Sequence, residues 1–174
     1  MNAKQTARIG IFAALYFALA LISIRVGNLR ITFASLPIVV LALTFGPKEA
    51  GIAAGIGEFF NQLLTYGLTL TTPLWLIPSI SRGVVVGLLS KKSRKSKFDD
   101  FDCINIYCTA MPAAVITTIL NTAVTAIDSL IFHYYSFAYV FGDFFVRLGL
   151  GLLTVLIIGF PVEVIIKATK KYII

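Results

Sequence analysis

The sequence predicts an all-α membrane protein, a bundle of six transmembrane helices with cytoplasmic N- and C-termini. Of its 174 residues, 58% are hydrophobic and only 13% are charged, and the mean hydropathy is +0.91. Soluble domains are about half apolar and about 25% charged. A soluble fold of this size has too small an interior to hide so much apolar surface. The length suits a single domain over residues 1–174.

Six apolar segments account for most of the chain. We predict spans at about residues 7–24, 33–46, 48–66, 72–89, 104–131 and 141–168. A helix needs about 20 residues to cross a bilayer, so the second segment is too short for a regular span. It contains Pro37 and ends at Gly46-Pro47. We expect it to be tilted, bent or packed inside the bundle.

The distribution of lysine and arginine orients the bundle. With the N-terminus in the cytoplasm, the inside regions hold eleven basic residues and the outside loops hold two, Arg25 and Arg30. This bias predicts an even number of spans with both ends inside. The hydrophilic residues 91–102 then join spans four and five in the cytoplasm. The net charge of +7 indicates anionic lipid headgroups rather than nucleic acid as the partner, because the basic residues flank apolar spans.

Motifs of soluble enzymes are missing from the sequence. HExxH, the Walker phosphate loop, GxSxG and CxxC do not occur, and His133 is the only histidine. The spacing of Cys103 and Cys108 matches no zinc or redox motif. We therefore expect no enzyme activity, no metal and no cofactor. If the protein moves a solute uphill by ATP, another chain must supply the energy.

Two ionisable residues lie deep within the apolar segments. A charge at the bilayer centre costs about 2.5–3.5 kcal/mol, so it needs a partner or a watery cavity. Glu58 in span three and Arg82 in span four both fall near mid-depth at about 1.5 Å per residue. They either pair with each other, or one or both face a substrate cavity.

The other polar residues within the spans lie mainly in the outer half. Asn121 and Asp128 share a face of span five, and Arg147 lies four residues after Asp143, so these two could pair. This placement predicts an outward-facing pocket rather than a through-pore. Phe33 and Trp75 lie near the outer interface, where they form either an aromatic belt or a pocket wall. The candidate substrate-binding residues are Arg25, Arg30, Phe33, Glu58, Asn61, Trp75, Arg82, Asn121 and Arg147.

Span one carries small residues at a spacing of four, namely Gly10, Ala14 and Ala18. Such stripes allow helices to approach closely in lipid. The stripe is either a packing surface within the bundle or a docking surface for another membrane subunit.

These features together resemble the substrate-binding S component of energy-coupling factor (ECF) vitamin transporters. The resemblance covers nearly the whole chain and includes AALYFALA in span one and FGPKEAGIAAGIGEFF, in which Gly46-Pro47 ends span two and Gly57-Glu58 follows. It implies a multi-pass subunit of the cell membrane that binds a vitamin from outside and works with a transmembrane coupling subunit and two cytosolic ATPase subunits. It further implies that Gly10, Ala14 and Ala18 contact the coupling subunit and that residues 25–33 close over the ligand.

The substrate is the most open part of this interpretation. LRITFASLP resembles the start of span two in the folate-type branch, which favours a folate-like anionic heterocycle. Pantothenate, a queuosine precursor and other small nutrients are alternatives. Two other functions are also open. One is a stand-alone secondary carrier with Glu58 or Asp128 as proton carrier, and the other is a non-transport membrane regulator that binds its partner through residues 91–102.

Overall fold

The structure is a computed structural model that describes residues 2–26, 29–93 and 103–173, and their side chains except at residues 24–31, 92, 93, 103 and 169–173. Most of the described chain is helical, as predicted. The elements are α1 (Ala3–Leu21), β1 (Ile24–Val26), β2 (Leu29–Ile31), α2 (Ser35–Thr44), α3 (Pro47–Tyr66), α4 (Thr72–Ser93), α5 (Cys103–Ile131), α6 (Phe137–Phe141) and α7 (Phe144–Ile173). The predicted loop over residues 91–102 lies largely outside the described residues.

Six of the helices correspond to the six predicted apolar segments. The antiparallel hairpin of β1 and β2 and the short helix α6 were not predicted. Three stretches of the described chain are long and apolar enough to cross a membrane, Thr72–Lys91, Ile104–Ile131 and Phe137–Ala168. Less than half of each stretch is buried inside the protein. The remaining apolar surface needs lipid around it, so the protein is membrane-embedded.

The short helix α2 lies in the core of the bundle. Eight of its ten residues are buried, and it contacts α1, α3, α4 and α7. This confirms the expectation that the second segment packs inside. Its end is fixed by Gly46, whose φ of 103° is strained for any residue with a Cβ. Pro47 then occupies the first turn of α3, where no backbone N–H is required.

Close contact between α3 and α4 depends on glycine. A methyl group added at Gly83 would lie 2.9 Å from the backbone of Ala50, and one added at Gly87 would lie 2.5 Å from the backbone of Pro47. Small residues at a lipid-embedded helix interface bring the backbones together and allow extensive van der Waals contact. The glycines therefore set the distance between the two helices that carry Glu58 and Arg82.

Helix α1 has a buried face and an exposed face. Ile9, Ala13, Tyr16 and Ala20 are buried. Gly10, Ala14 and Ala18 are all exposed, and nothing lies within 4 Å of a Cβ added at Gly10. The interpretation that this stripe packs within the bundle is therefore wrong, because the bundle uses the opposite face of the helix. The stripe therefore lies on the face of α1 that points away from the bundle.

An ion pair joins the first helix to the third. Arg8 on α1 donates from Nε and Nη2 to the two carboxylate oxygens of Glu49 on α3, at 3.1 and 2.9 Å. The guanidinium group also lies 4.0 Å from the ring centroid of Phe45. A bidentate pair of this kind holds two helices in a defined register.

Candidate functional site

A cavity of about 710 Å³ lies between the helices. Its walls come from α1 to α5, from α7, and from the segment between α5 and α7. Pockets of about 300–1,000 Å³ with a few convergent polar groups are typical small-molecule sites. Within the described residues, no cluster of His, Cys, Asp and Glu could hold a metal ion.

The structure brings six of the nine predicted binding residues together in the cavity wall. These are Glu58, Asn61, Trp75, Arg82, Asn121 and Arg147. Phe33 is 40% exposed and is not among the described residues of the wall. The side chains of Arg25 and Arg30 lie outside the described residues, although their backbones pair with each other across the hairpin. The binding role of all nine residues stays a prediction.

Glu58 is buried and is held by three helices. Its carboxylate accepts hydrogen bonds from the Tyr16 hydroxyl on α1 at 2.5 Å, from Asn61 Nδ2 at 3.1 Å and from Gln62 Nε2 at 2.8 Å. Ser79 on α4 lies 3.1 Å from the same tyrosine hydroxyl. Several donors around one carboxylate offset the cost of its burial. The side chain is thereby fixed in the cavity wall.

Arg82 does not form the predicted ion pair with Glu58. The ion pairs between described residues are Arg8 with Glu49 and Lys167 with Glu163. Arg82 instead directs Nε toward Thr117 Oγ1 on α5, at a long 3.5 Å. Glu58 still attracts the guanidinium electrostatically. Arg82 thus presents a planar set of N–H donors to the cavity.

A second group of charges lines the cavity toward the α5–α6 connection. Asp128 accepts a hydrogen bond from the hydroxyl of Tyr134, whose ring packs edge-on against Tyr139. Burial and this bond to Asp128 raise the pKa of the Tyr134 phenol, so the hydroxyl keeps its proton and continues to donate. The predicted ion pair of Asp143 and Arg147 does not form among the described residues. The bond between these residues runs from the Arg147 backbone N–H to the Asp143 carbonyl, at 2.9 Å.

The candidate list from sequence included Asn121 but omitted the other members of a polar stripe along α5. Thr118, Asn121, Thr125 and Asp128 all line the cavity. They alternate at spacings of three, four and three, the pattern of one helix face. Their positions were therefore readable from the sequence. Tyr16 is the other important omission, because it lies in the small-residue segment of α1, where no charge marks it.

The fixed charges of the wall are balanced. The described lining residues include two carboxylates, Glu58 and Asp128, and two guanidinium groups, Arg82 and Arg147. With no other Asp, Glu, Lys or Arg among these lining residues, their formal charges sum to zero. Such a cavity is best suited to a ligand that needs hydrogen bonds more than a counter-ion.

Comparisons with known proteins agree with this architecture. The family model of the ECF-type riboflavin transporter, S component, matches residues 1–168. The solved structure of ThiT from Listeria monocytogenes is similar, with 22% identity and a TM-score of 0.68 over 95% of this chain and 94% of that chain. A structure reported as the S component of a bacterial ECF transporter has 18% identity and a TM-score of 0.49 over 98% of this chain and 95% of that one. The search of curated proteins gave no match.

The likeness to ThiT shows the fold, and the family match covers nearly all of the chain. S components are the substrate-binding membrane subunits of vitamin transporters, and they are not catalysts by themselves. The lipid-facing helices and the cavity with its polar side chains fit such a subunit. The chain belongs to the family of ECF-type riboflavin transporter S components.

Proposed function

We propose that this subunit captures an uncharged, hydroxylated heterocycle, with riboflavin as the candidate, in the cavity between its helices. The observation that carries the proposal is the balanced set of two carboxylates and two guanidinium groups among the described residues of the wall. The matched family supports the flavin as the first ligand to test. Arg82 and Arg147 would donate to ring carbonyl and nitrogen acceptors, and Trp75 would lie against the ring face.

The charge balance favours this ligand over the folate-like anion that the sequence suggested. Folate carries two carboxylates, whereas the two guanidinium charges of the described wall are already offset in sum by the carboxylates of Glu58 and Asp128. Burying an ionised group without its own counter-charge costs about 3–5 kcal/mol. A folate-like ligand would have to keep its carboxylates outside the cavity.

The same proposal covers the topology and the partners. The five long helices and the short, buried α2 would form six spans with both termini in the cytoplasm, as the lysine and arginine bias predicts. The exposed stripe of Gly10, Ala14 and Ala18 would dock onto a transmembrane coupling subunit. Two cytosolic ATPase subunits would supply the energy, and the assembly would operate in the cell membrane.

A fluorescence titration tests the ligand assignment. Riboflavin is fluorescent, so its quenching can be followed as purified protein in mild detergent is added. We expect one riboflavin per chain, bound roughly 100-fold more tightly than folate if folate must bury an unpaired carboxylate. Thiamin, a cation, serves as the third ligand and should also bind weakly.

Two arginine variants test whether riboflavin binds in this cavity. Arg82→Met should lower riboflavin affinity roughly tenfold or more, because it removes charged donors from the wall. Arg8→Met changes the same residue type outside the cavity and should leave affinity unchanged. The proposal is wrong if folate or thiamin binds stoichiometrically while riboflavin does not, or if both variants behave alike.

A separate measurement distinguishes this subunit from a stand-alone carrier. Uptake should require co-expression of a coupling subunit and two ATPase subunits and should persist when the proton gradient is collapsed while ATP is maintained. Full uptake by this chain alone, abolished by an uncoupler, would instead support a proton-coupled carrier that uses Glu58 or Asp128.

A further inference from the structure

Four threonine hydroxyls on α5 and α7 already donate their hydrogen bonds to backbone carbonyl oxygens. Thr117, Thr118 and Thr125 on α5 and Thr154 on α7 each direct Oγ1 to the carbonyl oxygen four residues earlier, at 2.7, 2.9, 2.8 and 2.7 Å. A carbonyl oxygen can only accept, so each hydroxyl must be the donor. All four residues line the cavity, and each hydroxyl oxygen keeps lone pairs that can accept a hydrogen bond.

This arrangement gives the cavity two groups of opposite hydrogen-bonding character. Arg82, Arg147 and the Asn121 amide can supply donors, whereas the threonine oxygens supply acceptors. A buried acceptor that meets another acceptor loses its water without compensation. Ring carbonyls and carboxylates of a ligand are therefore disfavoured against the threonine oxygens, which form the acceptor side, and hydroxyl or N–H groups are favoured there.

The acceptor side is open and extended enough for a flexible chain. Thr118 and Thr125 are seven residues apart, which corresponds to two helical turns and about 10 Å on one face. Gly151 on α7 also lines the cavity, and even an added methyl group there would lie 3.5 Å from Thr118 Oγ1. The absence of a side chain at Gly151 leaves room beside the Thr118 hydroxyl.

We propose that α5 and α7 form an acceptor wall, made by Thr118, Thr125 and Thr154, that selects ligands carrying a polyhydroxylated chain. The inference rests on the proposed function and adds to it the part of the ligand that determines specificity. The hydroxyl groups of the chain donate to the threonine oxygens, and the acceptor edge of the heterocycle faces Arg82. In riboflavin this chain is the ribityl group.

Lumiflavin provides the test, because it has the same tricyclic ring with a methyl group in place of the ribityl chain. Both flavins are titrated into the purified full-length protein. Thr118→Val and Thr125→Val keep the side-chain shape and remove the oxygen. We expect each variant to lower riboflavin affinity roughly fivefold to tenfold, the effect of about one hydrogen bond, and to leave lumiflavin affinity unchanged. Thr118→Ser should restore riboflavin binding.

Thr122→Val is the matched control. Thr122 is buried on the same helix and makes the same kind of bond, to the Thr118 carbonyl at 3.0 Å, but it does not line the cavity. Its replacement should change neither affinity. Unchanged lumiflavin binding also shows that each variant is folded.

The outcomes separate the inference from the function on which it rests. Equal affinity of the wild-type protein for both flavins would overturn the acceptor wall and leave riboflavin capture intact. The acceptor wall would also be overturned if Thr118→Val lost equal affinity for both flavins. The same holds if Thr122→Val lost as much riboflavin affinity as Thr118→Val. Failure of the wild-type protein to bind either flavin would overturn the proposed ligand, and the acceptor wall with it.

Discussion

The contact between Gly57 and Tyr16 predicts a measurable cost for one added methyl group. In Gly57→Ala the new Cβ would lie 2.6 Å from Tyr16 Cδ1 and 3.0 Å from the Ala13 carbonyl oxygen. Either α1 moves away from α3, or the tyrosine ring rotates and gives up its 2.5 Å bond to Glu58. Overpacking of this kind costs about 1–3 kcal/mol. The better helix propensity of alanine offsets up to about 1 kcal/mol.

The net loss should be about 1–2 kcal/mol, which for a chain of this size corresponds to a fall in Tm of roughly 2–8 °C. Thermal unfolding in detergent measures it. Gly10→Ala is the matched control, because it makes the same substitution on α1 with nothing within 4 Å of the new atom. Riboflavin affinity should fall in Gly57→Ala only. A Tm for Gly57→Ala equal to or above that of Gly10→Ala would refute the packing argument.

Three further predictions concern other parts of the molecule. Ala14→Leu should leave ligand affinity and Tm unchanged but abolish co-purification with a coupling subunit, and normal assembly would count against docking by the exposed stripe. Arg8→Gln should lower Tm by roughly 2–4 °C by breaking the Glu49 pair, whereas Lys167→Gln at an exposed pair should have almost no effect. Glu58→Gln should cost about 1–3 kcal/mol of stability and weaken ligand binding, because the NH2 of its amide would face donors that now bind the carboxylate. An unchanged Tm would contradict this prediction.

The helices were predictable because their signals are local. Long apolar runs and the Gly46-Pro47 break fix the number and approximate ends of the helical segments, and the shortness of α2 indicated its burial. The hairpin was missed because strands of three residues have no alternation long enough to read. Helix α6 was missed for a similar reason, since it has only five residues.

The sequence predicted how deep in the membrane the site residues lie, but not which neighbours their side chains face. Counting residues from the ends of their spans places Glu58 and Arg82 at a similar depth, and both line the cavity. Depth does not specify which face of the helix a side chain occupies relative to its neighbours. Gly57 admits Tyr16 next to Glu58, so the carboxylate binds that hydroxyl and not Arg82. This contact depends on the packing of α1 against α3, which no local pattern reports.

The identity of the captured molecule tests the central claim most directly. The protein should be purified in mild detergent from cells grown in rich medium and then denatured, and the released small molecule should be identified and quantified by mass spectrometry. We expect riboflavin or a closely related hydroxylated flavin at close to one per chain, and less from the Arg82→Met variant. A stoichiometric folate or other charged ligand would contradict the account, as would protein that is empty and does not bind added riboflavin.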